Sequence, residues 1–299
     1  MRGPASPLAL FCSSRSAIIS GDTTNHMNRT IIFLSCVAAL FAQPHSQSRH
    51  LKQFGGRTGL VLIASARDGW AVATDGAQVN ADGTISRAEK LFRIGKDGAV
   101  AIAGSVSIQD PVGRPVREEL DVPGIVRAWI NSHPDASLDS GATREITDKV
   151  SGDASKFFSA RDPGKHAGEH SFTVIFVGYA NQKPVITGTR YFAPVAKGKP
   201  PRVERITVSA DPGLVFVFGP GAVAAELLDG NSPSLKKFKA SSAIANYKAS
   251  SPKSLTAEQF SAVLATILDA TESATGKALS GKNTVAAPNK VVTITFALK

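Results

Sequence analysis

The sequence predicts an α+β domain built as a four-layer αββα sandwich, with two antiparallel sheets held between helical layers. Three observations carry this expectation. Residues 60–66 and 70–74 are apolar at almost every position, which marks strands covered on both faces rather than a one-sided sheet. The elements run as four strands, two helices, more strands, helices and a last strand, whereas a doubly wound parallel sheet would alternate strand and helix throughout. The 299 residues, 42% apolar and 19% charged as in an ordinary globular protein, permit one large domain or two small ones.

The organising stretch runs from Thr58 to Ser105. Two hairpins are expected in it, one turning at Gly69 and one around Lys96-Asp97-Gly98, with Gly69 and Gly98 supplying the positive φ of each turn. Residues 105–119, rich in Pro and Gly, predict a loop. Helices follow over 123–132, started by Asp121 and Pro123, and over 144–160. A long apolar hairpin pairs 172–179 with 184–192, and 203–208 alternates as a half-exposed strand. Strand 214–218 turns through Gly219-Pro220-Gly221 into a short helix over 222–229. The strongest helix spans 256–275: Thr256 and Gln259 form a capping box, Phe260, Val263, Leu264, Ile267 and Leu268 share one face, and Gly276 suits the left-handed position after its end. Strand 290–298 closes the chain.

The formal charge of +10 suggests nucleic acid only until it is divided along the chain. Residues 1–57 hold six Lys/Arg against one acid, which leaves 28 against 23 for the body, with no basic stripe interleaved with aromatics. Nucleic acid is therefore not expected as a partner. Met27-Asn28-Arg29 followed by apolar residues 31–42 has the form of a signal peptide ending at Ala42, too short to span a bilayer. The reading is a leader over 1–57, with signal peptide 27–42 and an exposed linker 43–57, then one domain over 58–299. Export to the periplasm or medium is expected, or a cytoplasmic location if the leader is not a functional signal, and the 26 residues before Met27 read as an extended gene start. Cys12 and Cys36 both fall in the leader, so an exported mature chain would hold no disulfide or thiolate metal site.

The groups in the organising stretch that could do chemistry are the Thr58 hydroxyl, the Asp75 carboxylate, the Lys90 amine and the small turn Ala103-Gly104-Ser105. Their order, with the run Asp75-Gly76-Ala77-Gln78, resembles the proteasome β-subunit family and its bacterial ATP-dependent relative among the N-terminal-nucleophile hydrolases. The resemblance covers about 58–298. Glu272-Ser273-Ala274-Thr275-Gly276 stands where the family has a supporting Asp, Ser and Gly, and Thr189 is the nearest counterpart of a further family Ser.

The resemblance implies a threonine-type peptidase acting on polypeptides, assembled as a homo-oligomeric ring. Thr58 would be the nucleophile and its own α-amine, with a reference pKa near 8, the base. Lys90, oriented by Asp75, would lower the pKa values of that hydroxyl and amine, Gly104 would donate to the oxyanion, and Glu272 and Thr275 would support. No metal or organic cofactor enters this chemistry. It requires a cut between Arg57 and Thr58, because an amide nitrogen cannot act as the base. Two alternatives belong to this reading: a non-catalytic ring-forming or binding scaffold on the same fold, and a small-amide hydrolase of the wider superfamily.

Three other strings are weaker. His166-Ala167-Gly168-Glu169-His170 matches a zinc-protease pattern but contains Gly168 and follows Pro163-Gly164, against the helix such a site needs. Gly219, Gly221 and Ala224 are spaced like a dinucleotide fingerprint without the acidic residue that should follow. Ser234 and Lys237 form S-x-x-K without its companion motifs.

Overall fold

The computed structural model describes residues 50–55, 59–79, 85–104, 107–108, 120–180, 183–230, 233–278 and 290–295. All lie in the compact unit His45–Lys299. The strands are β1 (Leu51–Gln53), β2 (Val61–Ala66), β3 (Gly69–Thr74), β4 (Ala77–Val79), β5 (Ile85–Arg87), β6 (Leu91–Ile94), β7 (Gly98–Gly104), β8 (Ser107–Ile108), β9 (Leu120–Asp121), β10 (His170–Ala180), β11 (Lys183–Phe192), β12 (Arg202–Ser209), β13 (Val215–Phe218) and β14 (Lys290–Thr295). The helices are α1 (Val122–Ser132), α2 (Ser140–Ser159), α3 (Ala222–Leu228), α4 (Lys236–Lys239), α5 (Ser242–Ala249) and α6 (Ala257–Ala278). The class is α+β, as expected.

Two five-stranded sheets form the centre, ordered β1-β13-β2-β3-β14 and β12-β11-β10-β7-β6. The second is antiparallel throughout. The first is mixed, which corrects the expectation of two antiparallel sheets: β1 pairs with β13 in parallel, Leu51 opposite Val215 and Gln53 opposite Val217. This strand comes from the stretch read as an exposed linker. Three residues with a Lys and a Gln carry no legible period, and the partner that orders them lies far along the chain.

Alternation along the strands sorts side chains into three clusters. Leu62, Ala64, Ala71 and Ala73 face Leu264 and Ile267 of α6. Val61, Ile63, Trp70 and Val72 of the first sheet join Ala101, Ile175 and Val177 of the second. The other face of the second sheet, through Phe92, Ile102 and Phe172, packs with Val126 of α1 and Ile146 and Val150 of α2. Both β2 and β3 are buried at every position, which is why their sequence shows no polar alternation.

The helix ends follow their caps. The Asp121 carboxylate accepts from Gly124 N at 2.9 Å and starts α1. The Asp139 carboxylate accepts from Ala142 N at 2.8 Å, so α2 begins before the expected residue 144. The capping box of α6 is present: Gln259 Oε1 accepts from Thr256 N at 2.9 Å, and Thr256 Oγ1 accepts from Gln259 N at 3.2 Å. Asp68, from the β2–β3 turn, adds a bond from Ala257 N at 2.7 Å. α6 then runs through Gly276 to Ala278, so Gly276 is no C-terminal cap.

In the β6–β7 hairpin the left-handed residue is Gly95, at φ +60, not Gly98. Gly98 is small for another reason, since a Cβ there would collide with the Leu138 side chain. The leader with its two cysteines, most of the expected linker, residues 105–106 and 109–119 of the expected loop and the end of the last expected strand, 296–298, lie outside the described residues, while Ser107–Ile108 of that loop pairs with Leu120–Asp121 as a short strand. Among the described residues no helix is long and apolar enough to cross a membrane.

Candidate active site

The site is built where β2 begins, β3 ends, β6 begins and β7 ends. Strand register brings these points together, because Val61 pairs with Thr74, which sets Leu60 beside Asp75. Asp75 N donates to Leu60 O at 3.1 Å, and Leu60 N donates to Asp75 Oδ1 at 3.1 Å. The carboxylate is thus fixed by the backbone just ahead of β2. The same Oδ1 accepts from Lys90 Nζ at 2.9 Å.

Lys90 is held at both ends. Its carbonyl accepts from Ile102 N of β7 at 2.9 Å, while its ammonium reaches Asp75. The Lys90 side chain is 1% exposed and that of Asp75 14%, so the pair lies at the rim of the core with the carboxylate toward solvent. A lysine this deeply buried needs a fixed counter-charge, which Asp75 supplies.

Gly104 ends β7 at φ +102. A Cβ there would collide with the Ser171 carbonyl oxygen and stand 2.8 Å from Phe172 Cα, so the backbone of β10 allows only glycine. Gly59, at φ +66, leans on Gly104 from the other side: a Cβ on Gly59 would lie 2.5 Å from Gly104 N. On its far side, Gly59 O occupies the space a Cβ on Gly219 would take. Three glycine backbones, of residues 219, 59 and 104, are therefore stacked at the mouth of the site.

Of the residues expected at the site, Asp75 and Lys90 are in direct contact, and Gly104 is tied to them through Gly59 and Leu60. Thr58 lies outside the described residues, as does the Thr275 side chain. Glu272 is half-buried on the last turns of α6, with no hydrogen bond or ion pair to the Lys90–Asp75 pair among the described residues. Thr189 is not at this mouth. It pairs with Val174, whose side chain faces α2, and so lines a cavity of about 310 Å³ with Thr143 and Arg205 on that face of the second sheet.

Sequence reasoning missed the Gly219 contact and a polar cluster beside Gly104. His170 Nε2 and Thr173 Oγ1 lie 2.8 Å apart, next to the Phe172–Gly104 pairing. Burial pushes the His170 pKa down to about 4, and the nearby Arg190 guanidinium adds to this. His170 opens a strand and His166 closes a short turn, with His166 Nδ1 3.1 Å from Glu169 Oε2. The two imidazoles of the zinc-like string thus have separate partners, and the described residues hold no cluster of three or more metal-ligating side chains.

No family model matches the chain, and no curated protein matches it. Solved structures that it resembles include Anbu from Hyphomicrobium sp. strain MC1, at 13% identity over 79% of this chain and 84% of that one, with a TM-score of 0.40. Anbu from Yersinia bercovieri, described as an ancestral β-subunit, gives 12% identity, 78% and 79% coverage and a TM-score of 0.42. The helical assembly of the Anbu complex from Pseudomonas aeruginosa gives 11%, 79% and 83%, and 0.41. These likenesses transfer no residue role to this chain. The family expectation is corrected: membership of the proteasome β-subunit family has no support from family models or curated proteins, and the solved structures named above are described as Anbu.

Proposed function

We propose that the chain is the uncut precursor of a threonine-type peptidase that hydrolyses polypeptide amides through an acyl-enzyme on Thr58. The observation that carries this reading is the buried Lys90–Asp75 pair at 2.9 Å, anchored to the backbone just after Gly59 and facing the end of β7. A buried ion pair contributes little net stability after desolvation, so its placement at this mouth is better accounted for by chemistry than by folding.

A cut between Arg57 and Thr58 would free the Thr58 α-amine as base. The hydroxyl would then attack a substrate carbonyl while Lys90 supplies positive charge and Gly104 N–H faces the oxyanion. Departure of the amine product leaves an ester on Thr58, which water hydrolyses. Glu272 and Thr275 are assigned supporting roles.

The same proposal includes the four-layer αββα arrangement, supported by the three clusters of buried side chains. It includes export through the 27–42 signal and assembly as a ring of identical chains. Intact mass of the secreted protein tests the maturation step: a start at Thr58 supports the peptidase, and a start near Gln43 opposes it.

The second reading, a non-catalytic ring-forming or binding scaffold, is favoured by a specific observation. The Gly59 backbone lies so close to Gly104 that a Cβ added at Gly59 would stand 2.5 Å from Gly104 N, which crowds the N–H expected to face the oxyanion. The preceding residues are also woven into the first sheet as β1. The two readings part on whether the purified chain, once it begins at Thr58, cleaves an unfolded polypeptide and loses that activity in Thr58→Ala.

A further inference from the structure

The segment ahead of residue 56 is seated like a ligand. Val215 N donates to His50 O at 2.8 Å, Phe54 N donates to Val217 O at 2.8 Å, and Gly219 N donates to Gly55 O at 3.0 Å. These bonds continue the parallel register of β1 on β13 to both ends of the segment. Its side chains anchor on both faces of the sheet. Leu51, 5% exposed, enters the cluster beneath α6. Phe54, three residues on and so on the opposite face, stacks on Phe218 with ring centroids 4.5 Å apart and planes 7° from parallel. Gln53 packs where Gly221 leaves room for its amide.

The seat is built as well as the occupant. β13 is Val-Phe-Val-Phe, buried at all four positions, and its other edge is filled by β2. Without β1 this strand would be a bare apolar edge, the kind that pairs with any free strand. The connection is also short. β1 and β2 flank β13, about 10 Å apart by ordinary strand spacing, and only residues 56–58 join Gly55 to Gly59. Gly55 and Gly59 have φ of +63 and +66, and both touch Gly219.

We propose that the β13 edge is a strand-binding site and that the segment His50–Gly55 is its ligand, a peptide that stays bound in parallel register after the backbone between Gly55 and Gly59 is cut. Processing before residue 58 then yields a two-chain protein, not a trimmed one. Its recognition elements are an aliphatic side chain at position 51, an aromatic at 54 and the main-chain ladder to β13. The proposal stands whether or not Thr58 is a nucleophile.

The test replaces residues 56–57 of the full chain with a specific protease site, in a Thr58→Ala background so that any catalytic activity is irrelevant. After cutting, native size exclusion and mass spectrometry should find both pieces in one peak, parting only in denaturant. The same cut in a Leu51→Ala/Phe54→Ala chain should release the small piece at least tenfold faster. Loss of the small piece under native conditions from the cut chain that keeps Leu51 and Phe54, whether the remainder stays folded or precipitates, overturns the proposal. So does an unchanged release rate in the double variant.

Discussion

Gly59 and Gly104 approach so closely that one methyl group on Gly59 would stand 2.5 Å from the Gly104 nitrogen. That approach joins the strand that follows Thr58 to the turn expected to hold an oxyanion and leaves room for no side chain at Gly59, while the β10 backbone leaves none at Gly104. Gly104→Ala should therefore both strain a φ of +102 and force a Cβ into the β10 backbone at Ser171 and Phe172. A loss of about 2–3 kcal/mol or more in urea unfolding is expected. A loss below about 0.5 kcal/mol would show that β10 packs on Gly104 less tightly than described.

Lys90 and Asp75 should behave as a unit. Lys90→Met leaves the Asp75 carboxylate, which lies toward solvent and still accepts from Leu60 N, without its cation, with an expected loss of about 1–3 kcal/mol. Asp75→Asn should cost more, about 3–5 kcal/mol, because it leaves the Lys90 ammonium, 1% exposed, without its counter-charge even though an amide oxygen can still accept from Leu60 N. A double-mutant cycle by denaturant unfolding checks the coupling, which should reach at least about 1 kcal/mol.

Acid stability should follow His170. Its folded pKa is lowered to about 4 from 6.5, so between these values the unfolded chain binds the proton more readily than the folded one. Stability from the neutral imidazole is complete above about pH 6.5 and falls as pH drops toward 4. Unfolding midpoints across pH 4–7 should show a shallower decline in His170→Asn than in the parent chain. Identical profiles would place the acid sensitivity elsewhere.

Phe260 is fully buried in the contact between α6 and the first sheet. Phe260→Ala should lower stability by about 3–5 kcal/mol, read from denaturant midpoints, with no change in the slope of the transition.

Much of this was legible because it is local. Two-sided burial of β2 and β3 wrote itself as unbroken apolar runs, Asp121 and the Thr256–Gln259 box announced their helices, and Asp75 and Lys90 stood at strand ends where the fold brings them together. What failed depends on distant partners. β1 is three residues long and exists as a strand only because β13 is beside it. Gly98 suggested a turn, but its smallness answers to Leu138, and the contact of Gly219 with Gly59 has no local signature at all. Thr189 illustrates the period-2 rule: one position along β11 decides between the inter-sheet space and the α2 face, and pairing with Val174 puts it on the latter.

The central claim is most directly tested by covalent labelling. The purified chain, cut after Arg57 and shown by intact mass to begin at Thr58, is incubated with a threonine-directed β-lactone beside its Thr58→Ala counterpart. The account predicts a single adduct on the peptide that begins with Thr58, absent from the variant. A chain that begins at Thr58 and carries no adduct, or one labelled equally in Thr58→Ala, would contradict it.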